Sequence, residues 1–68
     1  MTEYQFVVDG VLSDRVLGAF PECRENRDEK CSSTTLFVST DDPTVMRTML
    51  ARIDDLGLTL LAMRRLPD

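Results

Sequence analysis

The chain has 68 residues, 43% of them hydrophobic and 29% charged, enough apolar side chain to exclude a disordered segment and enough length for one small domain. Its 12 acidic and 8 basic side chains give a formal charge of −4, which repels nucleic-acid phosphate and anionic lipid, so neither nucleic acid nor membrane is an expected partner. The absence of histidine removes the commonest general acid and base.

No apolar run approaches the roughly 20 residues that span a bilayer. Met1-Thr2-Glu3-Tyr4 also lacks the basic and apolar pattern of a secretory leader, so a cytoplasmic protein is expected. A chain this short commonly needs disulfides, a metal, very good packing or a partner subunit for stability, and oligomerisation is the first expectation.

Tyr4 to Asp9 alternates Tyr4, Phe6 and Val8 with Gln5, Val7 and Asp9, the two-residue period of a strand. Ser13 then caps a short helix from Asp14, with Val16, Leu17 and Phe20 at helical spacing; Gly18 weakens it and Pro21 ends it, so about two turns are predicted. The polar stretch from Pro21 to Ser33 reads as a loop or as a charged hairpin around Asn26 to Asp28. Thr34 to Thr40 is rich in β-branched and aromatic residues and is predicted as a strand.

Asp41-Asp42-Pro43 supplies a carboxylate cap and a proline at the first helical position. Val45, Met46, Met49, Leu50, Ile53 and Leu56 form the apolar stripe of the helix that follows, and Gly57 closes it. Leu58 to Leu66 is predicted as the last strand, with Leu58, Leu60 and Ala62 toward the helices and Thr59, Leu61 and Met63 away; Pro67-Asp68 stops it. The expected fold is α+β, a single ferredoxin-like βαββαβ domain over residues 1–68. Two helices would pack on one face of a four-stranded antiparallel sheet, with strands one and three central and parallel to each other.

The capped helix after strand one, the Thr34-Thr35-Leu36 strand, the helix ending Leu50-Ala51-Arg52-Ile53-Asp54-Asp55-Leu56-Gly57 and the close Leu58 to Pro67 together resemble a group of short, largely uncharacterised proteins of high-GC Gram-positive bacteria. That resemblance covers positions 4 to 67 and implies a fold, with no catalytic residue to carry over. In topology the chain is also similar to ACT domains, regulatory modules that bind amino acids between paired subunits. The glycine-rich first loop of many such domains is represented here by Asp9-Gly10-Val11. Soft-metal chaperones of this topology hold Cu(I) through two cysteines in the loop after strand one; Gly10 to Ser13 contains none.

Cys23 and Cys31 flank the polar stretch, and a hairpin loop of three residues centred on Arg27 would set them across from one another. They then read as a redox pair, against the plainer reading of two reduced thiols. A zinc site would need ligands from a second subunit, since histidine is absent. Asp41-Asp42 and Asp54-Asp55 read as a helix cap and a solvated helix end, and no base stands near Ser32, Ser33, Thr34 or Thr35 in the sequence. Arg47, Arg52, Arg64 and Arg65 are the basic accents, at which a phosphate or carboxylate is conceivable but rim ion pairs are the simpler use. No catalytic, cofactor or metal site is therefore expected.

Two helices cover one side of a sheet, so the other side is expected to expose Val7, Phe37, Leu61 and Met63, an interface for a second copy or a larger protein. The expected function is a non-enzymatic interaction or regulatory module that self-associates, as a homodimer, or docks through that open sheet face. The alternative is an ACT-like amino-acid sensor with a small-molecule ligand. A small dimeric enzyme is a third reading, which requires a cavity of about 300 Å³ lined by convergent polar groups.

Overall fold

A computed structural model describes residues 1–67. The elements are β1 (Glu3–Asp9), α1 (Asp14–Leu17), β2 (Arg24–Asp28), β3 (Ser33–Ser39), α2 (Pro43–Asp55) and β4 (Leu60–Arg65). The protein is α+β, with its four strands in one antiparallel sheet of order β2-β3-β1-β4. β1 and β3 are central as expected, but they run antiparallel and not parallel: Glu3 lies opposite Ser39 and Asp9 opposite Ser33. Topology gives the reason. A strand-helix-strand passage returns the chain in its starting direction beyond one intervening strand, so β1 and β2 run alike, and the β2-β3 hairpin then turns β3 against β1.

The inner sheet face follows from strand alternation. Phe6 and Val8 of β1 and Thr34, Leu36 and Val38 of β3 are buried, and Phe6 stands opposite Leu36. Leu17 and Phe20 from the first helical segment and Met49 and Ile53 from α2 join them in a single core cluster. Both helices therefore cover the same face. Asp42 caps α2 by accepting from Thr44 N at 2.9 Å, and Pro43 occupies the first turn, as the sequence signals.

The first helix is a single turn of four residues and not two turns. Its Ser13 cap forms, accepting from Val16 N at 3.2 Å. Beyond Leu17 the chain continues through tight turns, with Ala19 N donating to Val16 O and Phe20 N to Leu17 O. Gly18 lowers the helical propensity and Pro21 brings no amide, so the segment turns only far enough to deliver Phe20 to the core.

The polar stretch is a hairpin whose turn falls at residues 29–32, after Asp28 and not around Arg27. Asp28 Oδ1 accepts from Lys30 N at 3.0 Å and Cys31 N at 3.1 Å, a side-chain turn that places the reversal after the aspartate. Ser32 takes a left-handed φ of 49° to complete it.

β4 begins at Leu60 and not at Leu58, because Leu58 still belongs to the end of α2. Leu58 N donates to Ile53 O and Gly57 N to Asp54 O, with Gly57 at φ 71°, the paired bonds of a Schellman close. Within β4 the register against β1 shifts: Val7 faces Ala62 but Val8 faces Leu60, which leaves Leu61 as the extra residue of a bulge. Ala62 thus stands beside Val7 on the outer face and Met63 beside Phe6 on the inner one, the reverse of the expected facing. Arg65 precedes Leu66 and Pro67 at the strand's end, and Asp68 lies outside the described residues. Among the described residues no helix is long and apolar enough to cross a membrane.

Candidate interaction surface

The outer face of the sheet differs from the apolar surface expected of it. Val7 and Phe37 do project there, both partly buried, but they are surrounded by Gln5, Ser33, Thr35 and Ser39 at alternating positions of β1 and β3. Phe37 is also covered. The Arg24 guanidinium lies over its ring, 5.1 Å from the centroid, and continues to Glu3 Oε1 at 2.9 Å, so one side chain spans from β2 across β3 to β1. A cation on an aromatic face holds by about 0.5–1 kcal/mol at an exposed site, enough to bias Arg24 over the ring.

Exposed aliphatic side chains gather elsewhere. On β4, Leu60 is 37%, Leu61 54% and Met63 49% exposed, and Leu50 and Leu56 of the α2 region are exposed as well. Met63 is therefore open although its register belongs to the helix-bearing face, because β4 lies at the margin of the core. Thr44, Thr48 and Arg52 form the flank of α2 that borders β3 and Glu22. Met46 and Leu50 lie on the opposite flank at ~100° per residue, and so look along the sheet toward β1 and β4. Leu50 and Leu56 belong to the apolar stripe that reads as core in the sequence; the stripe is wider than the sheet beneath it, and this excess was the available signal.

Backbone groups on β4 point the same way. Leu66 N donates to Glu3 O at 2.8 Å, so by the two-residue period Arg64 and Ala62 also bond toward β1. The N–H and C=O groups of Met63 and Arg65 then project from the open edge of the sheet. The opposite edge, β2, reads Arg24-Glu25-Asn26-Arg27-Asp28 and carries a charge at four of its five positions. Charged edges resist pairing with another strand, and β4 lacks that protection over Leu60 to Met63.

The two cysteines are not brought together across the hairpin. Cys23 precedes β2 and Cys31 lies in the turn beyond it, so the whole strand separates them, and both are free thiols. Burial against the core, with Met49 Sδ 3.6 Å away, pushes the Cys23 thiol up to about 11, and the Glu22 carboxylate beside it adds to the effect. Cys31 is raised by its contact with Asp28. Neither thiol is activated as a nucleophile. Among the described residues no group of His, Cys, Asp or Glu could hold a metal ion. Asp42 is a helix cap, and Asp41 accepts from Thr2 N at 3.0 Å, which holds its carboxyl below the usual range.

A cleft of about 300 Å³ opens between α2, the end of β3 and Glu22. Val38, Val45 and Met49 make its apolar floor, and Ser39, Thr44 and Thr48 offer hydroxyls at its rim. Arg52 closes one side. It pairs with Glu22, donates to Ala19 O at 2.8 Å and stacks over Phe20 with 5.3 Å to the centroid. Through Nη1 it joins the loop after α1 to α2.

Residues 3–64 match the family described as Domain of unknown function (DUF8691). The chain belongs to that family. The match runs from the first residue of β1 to the penultimate residue of β4, so the elements of this DUF8691 domain lie within the family's span apart from Arg65. No curated protein and no solved structure matches the chain.

Proposed function

We propose that this DUF8691 domain is a small non-enzymatic interaction module that binds protein through the β4 edge and the aliphatic side chains beside it. The observation that carries this reading is the gathering of Leu50, Leu56, Leu60, Leu61 and Met63, five of the seven exposed large hydrophobics among the described residues, around a strand edge that is uncharged from Leu60 to Met63. Grouped apolar exposure of this kind marks contact surfaces, whereas single exposed aliphatics are ordinary. The order β2-β3-β1-β4, with every neighbouring pair antiparallel, supports placing the fold among ferredoxin-like split βαβ sandwiches. Two free thiols fit a reducing, cytoplasmic setting.

A photo-crosslinking amino acid at Leu61, in cells expressing the protein, tests the reading. It is expected to capture polypeptide, while the same probe at Lys30 in the exposed hairpin turn does not. Equal yields at the two positions, or none at either, would remove the proposal.

A second reading, an ACT-like sensor of small molecules, is favoured by the cleft, whose volume is at the lower end of ligand sites. A ligand that binds only the folded state raises the melting temperature. A panel of free amino acids at millimolar concentration is expected to shift Tm if this reading holds, with Thr48→Leu abolishing the shift. Unchanged melting across the panel would end it.

A further inference from the structure

The geometry points to a second copy of this chain as the occupant of the β4 edge: two β4 strands pair antiparallel about a two-fold axis and join the two four-stranded sheets into one. This rests on β4 being the contact surface and adds the identity of the partner.

Three observations select a second copy. The first is the asymmetry of the sheet. β2 carries charge at four of its five positions and β4 only at Arg64 and Arg65, so pairing at β4 uses the less protected edge of each chain and leaves charged β2 strands at both ends. Such a contact closes on itself as an isologous dimer and does not propagate into a filament.

The second is charge. Arg64 and Arg65 close β4, and neither makes an ion pair among the described residues. The other end of the strand is acidic: Asp54 and Asp55 end α2 just before it, and Asp9 N bonds Thr59 O beside it. Antiparallel pairing sets the basic end of each strand by the acidic end of its partner, whereas parallel pairing sets the arginines beside their own copies. Arg65 lies within electrostatic reach of Asp41 in its own chain, so Arg64 carries the larger share.

The third is the hydrogen-bond pattern. Met63 presents its N–H and C=O along the open edge, and in an antiparallel pair with the two-fold axis at Met63 its donor meets the Met63 acceptor of the copy and the reverse, which keeps Arg64 and Arg65 away from their own copies. A standard interface takes about 800 Å² from each partner. The strand alone is short for that, and the exposed Leu50 on the flank of α2 that looks toward β4 extends the contact.

Light scattering after size exclusion, on the full chain, tests the proposal. The expected mass is twice the 7.7 kDa of one chain at high concentration, falling toward one chain on dilution. Met63→Pro removes an outward N–H while the bonds to β1 through Ala62 and Arg64 remain, so it is expected to give a folded monomer by circular dichroism. Leu61→Lys, at an exposed position, is a second route to the same monomer should the proline variant misfold. Reversing the charge of Arg64 with glutamate is expected to weaken the dimer by about tenfold, as like charges meet across the contact. A wild-type monomer up to about 1 mM overturns the second copy; if Leu61 still crosslinks to a different protein in cells, the β4 surface stands and only its occupant is wrong. A dimer that survives both β4 variants and dissociates with Phe37→Glu overturns the surface and the occupant together.

Discussion

Thr34 is the buried side chain on which the connection between β1 and α1 depends. Its hydroxyl donates to Gly10 O at 2.9 Å and accepts from Leu12 N at 3.0 Å, so one residue of β3 satisfies two backbone groups of the neighbouring loop. Thr34→Val keeps the shape and removes both bonds, leaving a buried donor and a half-buried acceptor unpaired. The expected loss is about 2–3 kcal/mol in urea unfolding; a loss within error would show that the loop does not need this anchor.

The thiols differ by environment. Cys31 is exposed in the turn and Cys23 is packed against Met49, so alkylation near pH 8 followed by mass spectrometry is expected to label Cys31 first. The folded Cys23 thiol titrates at about 11 against an ordinary 9.0. Its neutral form is favoured by the fold, so this contribution to stability is complete below pH 9 and is lost as pH rises toward 11. Cys23→Ser is expected to flatten the alkaline fall in stability.

At the scale of elements, the hairpin and β4 show what the sequence reveals and what it hides. Asp28 receives two backbone N–H groups of the turn, and its carboxyl is held below the usual range. The sign is that of a depressed acid: its stabilisation is present above pH 4 and is lost as pH falls through the lower folded value. Asp28→Asn is expected to show a shallower acid limb in thermal melts than the wild type; an identical limb would mean that the turn does not depend on this charge.

The Asp42-Pro43 start of α2, the Gly57 close and the alternation of β1 and β3 were legible because each is a local signal. The turn after Asp28 was less so, since a run of charged residues carries several turn signals at once. The bulge at Leu61 was not legible at all. Nothing within Leu60-Leu61-Ala62-Met63 marks which residue is skipped; the choice depends on the pairing with β1, and a single skipped residue reverses the facing of every side chain after it. That reversal moved Met63 from the outer face to the margin of the core. The covering of Phe37 by Arg24 was hidden for a related reason, because it needs the register of β2 on β3.

At the scale of the molecule, the core of nine buried apolar side chains among the described residues is small, and domains of this size are marginal alone. A dimer through β4 would bury further aliphatic surface and make stability depend on protein concentration. The melting temperature is therefore expected to rise with concentration in the wild type and to stay constant in Leu61→Lys.

The most direct measurement is amide hydrogen exchange along the two sheet edges at low and high protein concentration. The amides of Met63 and Arg65, which point away from β1, are expected to become protected as concentration rises, while those of Arg24 to Asp28 do not change. Free exchange of Met63 and Arg65 at every concentration, or protection that grows at β2 in their place, would contradict β4 as the contact edge.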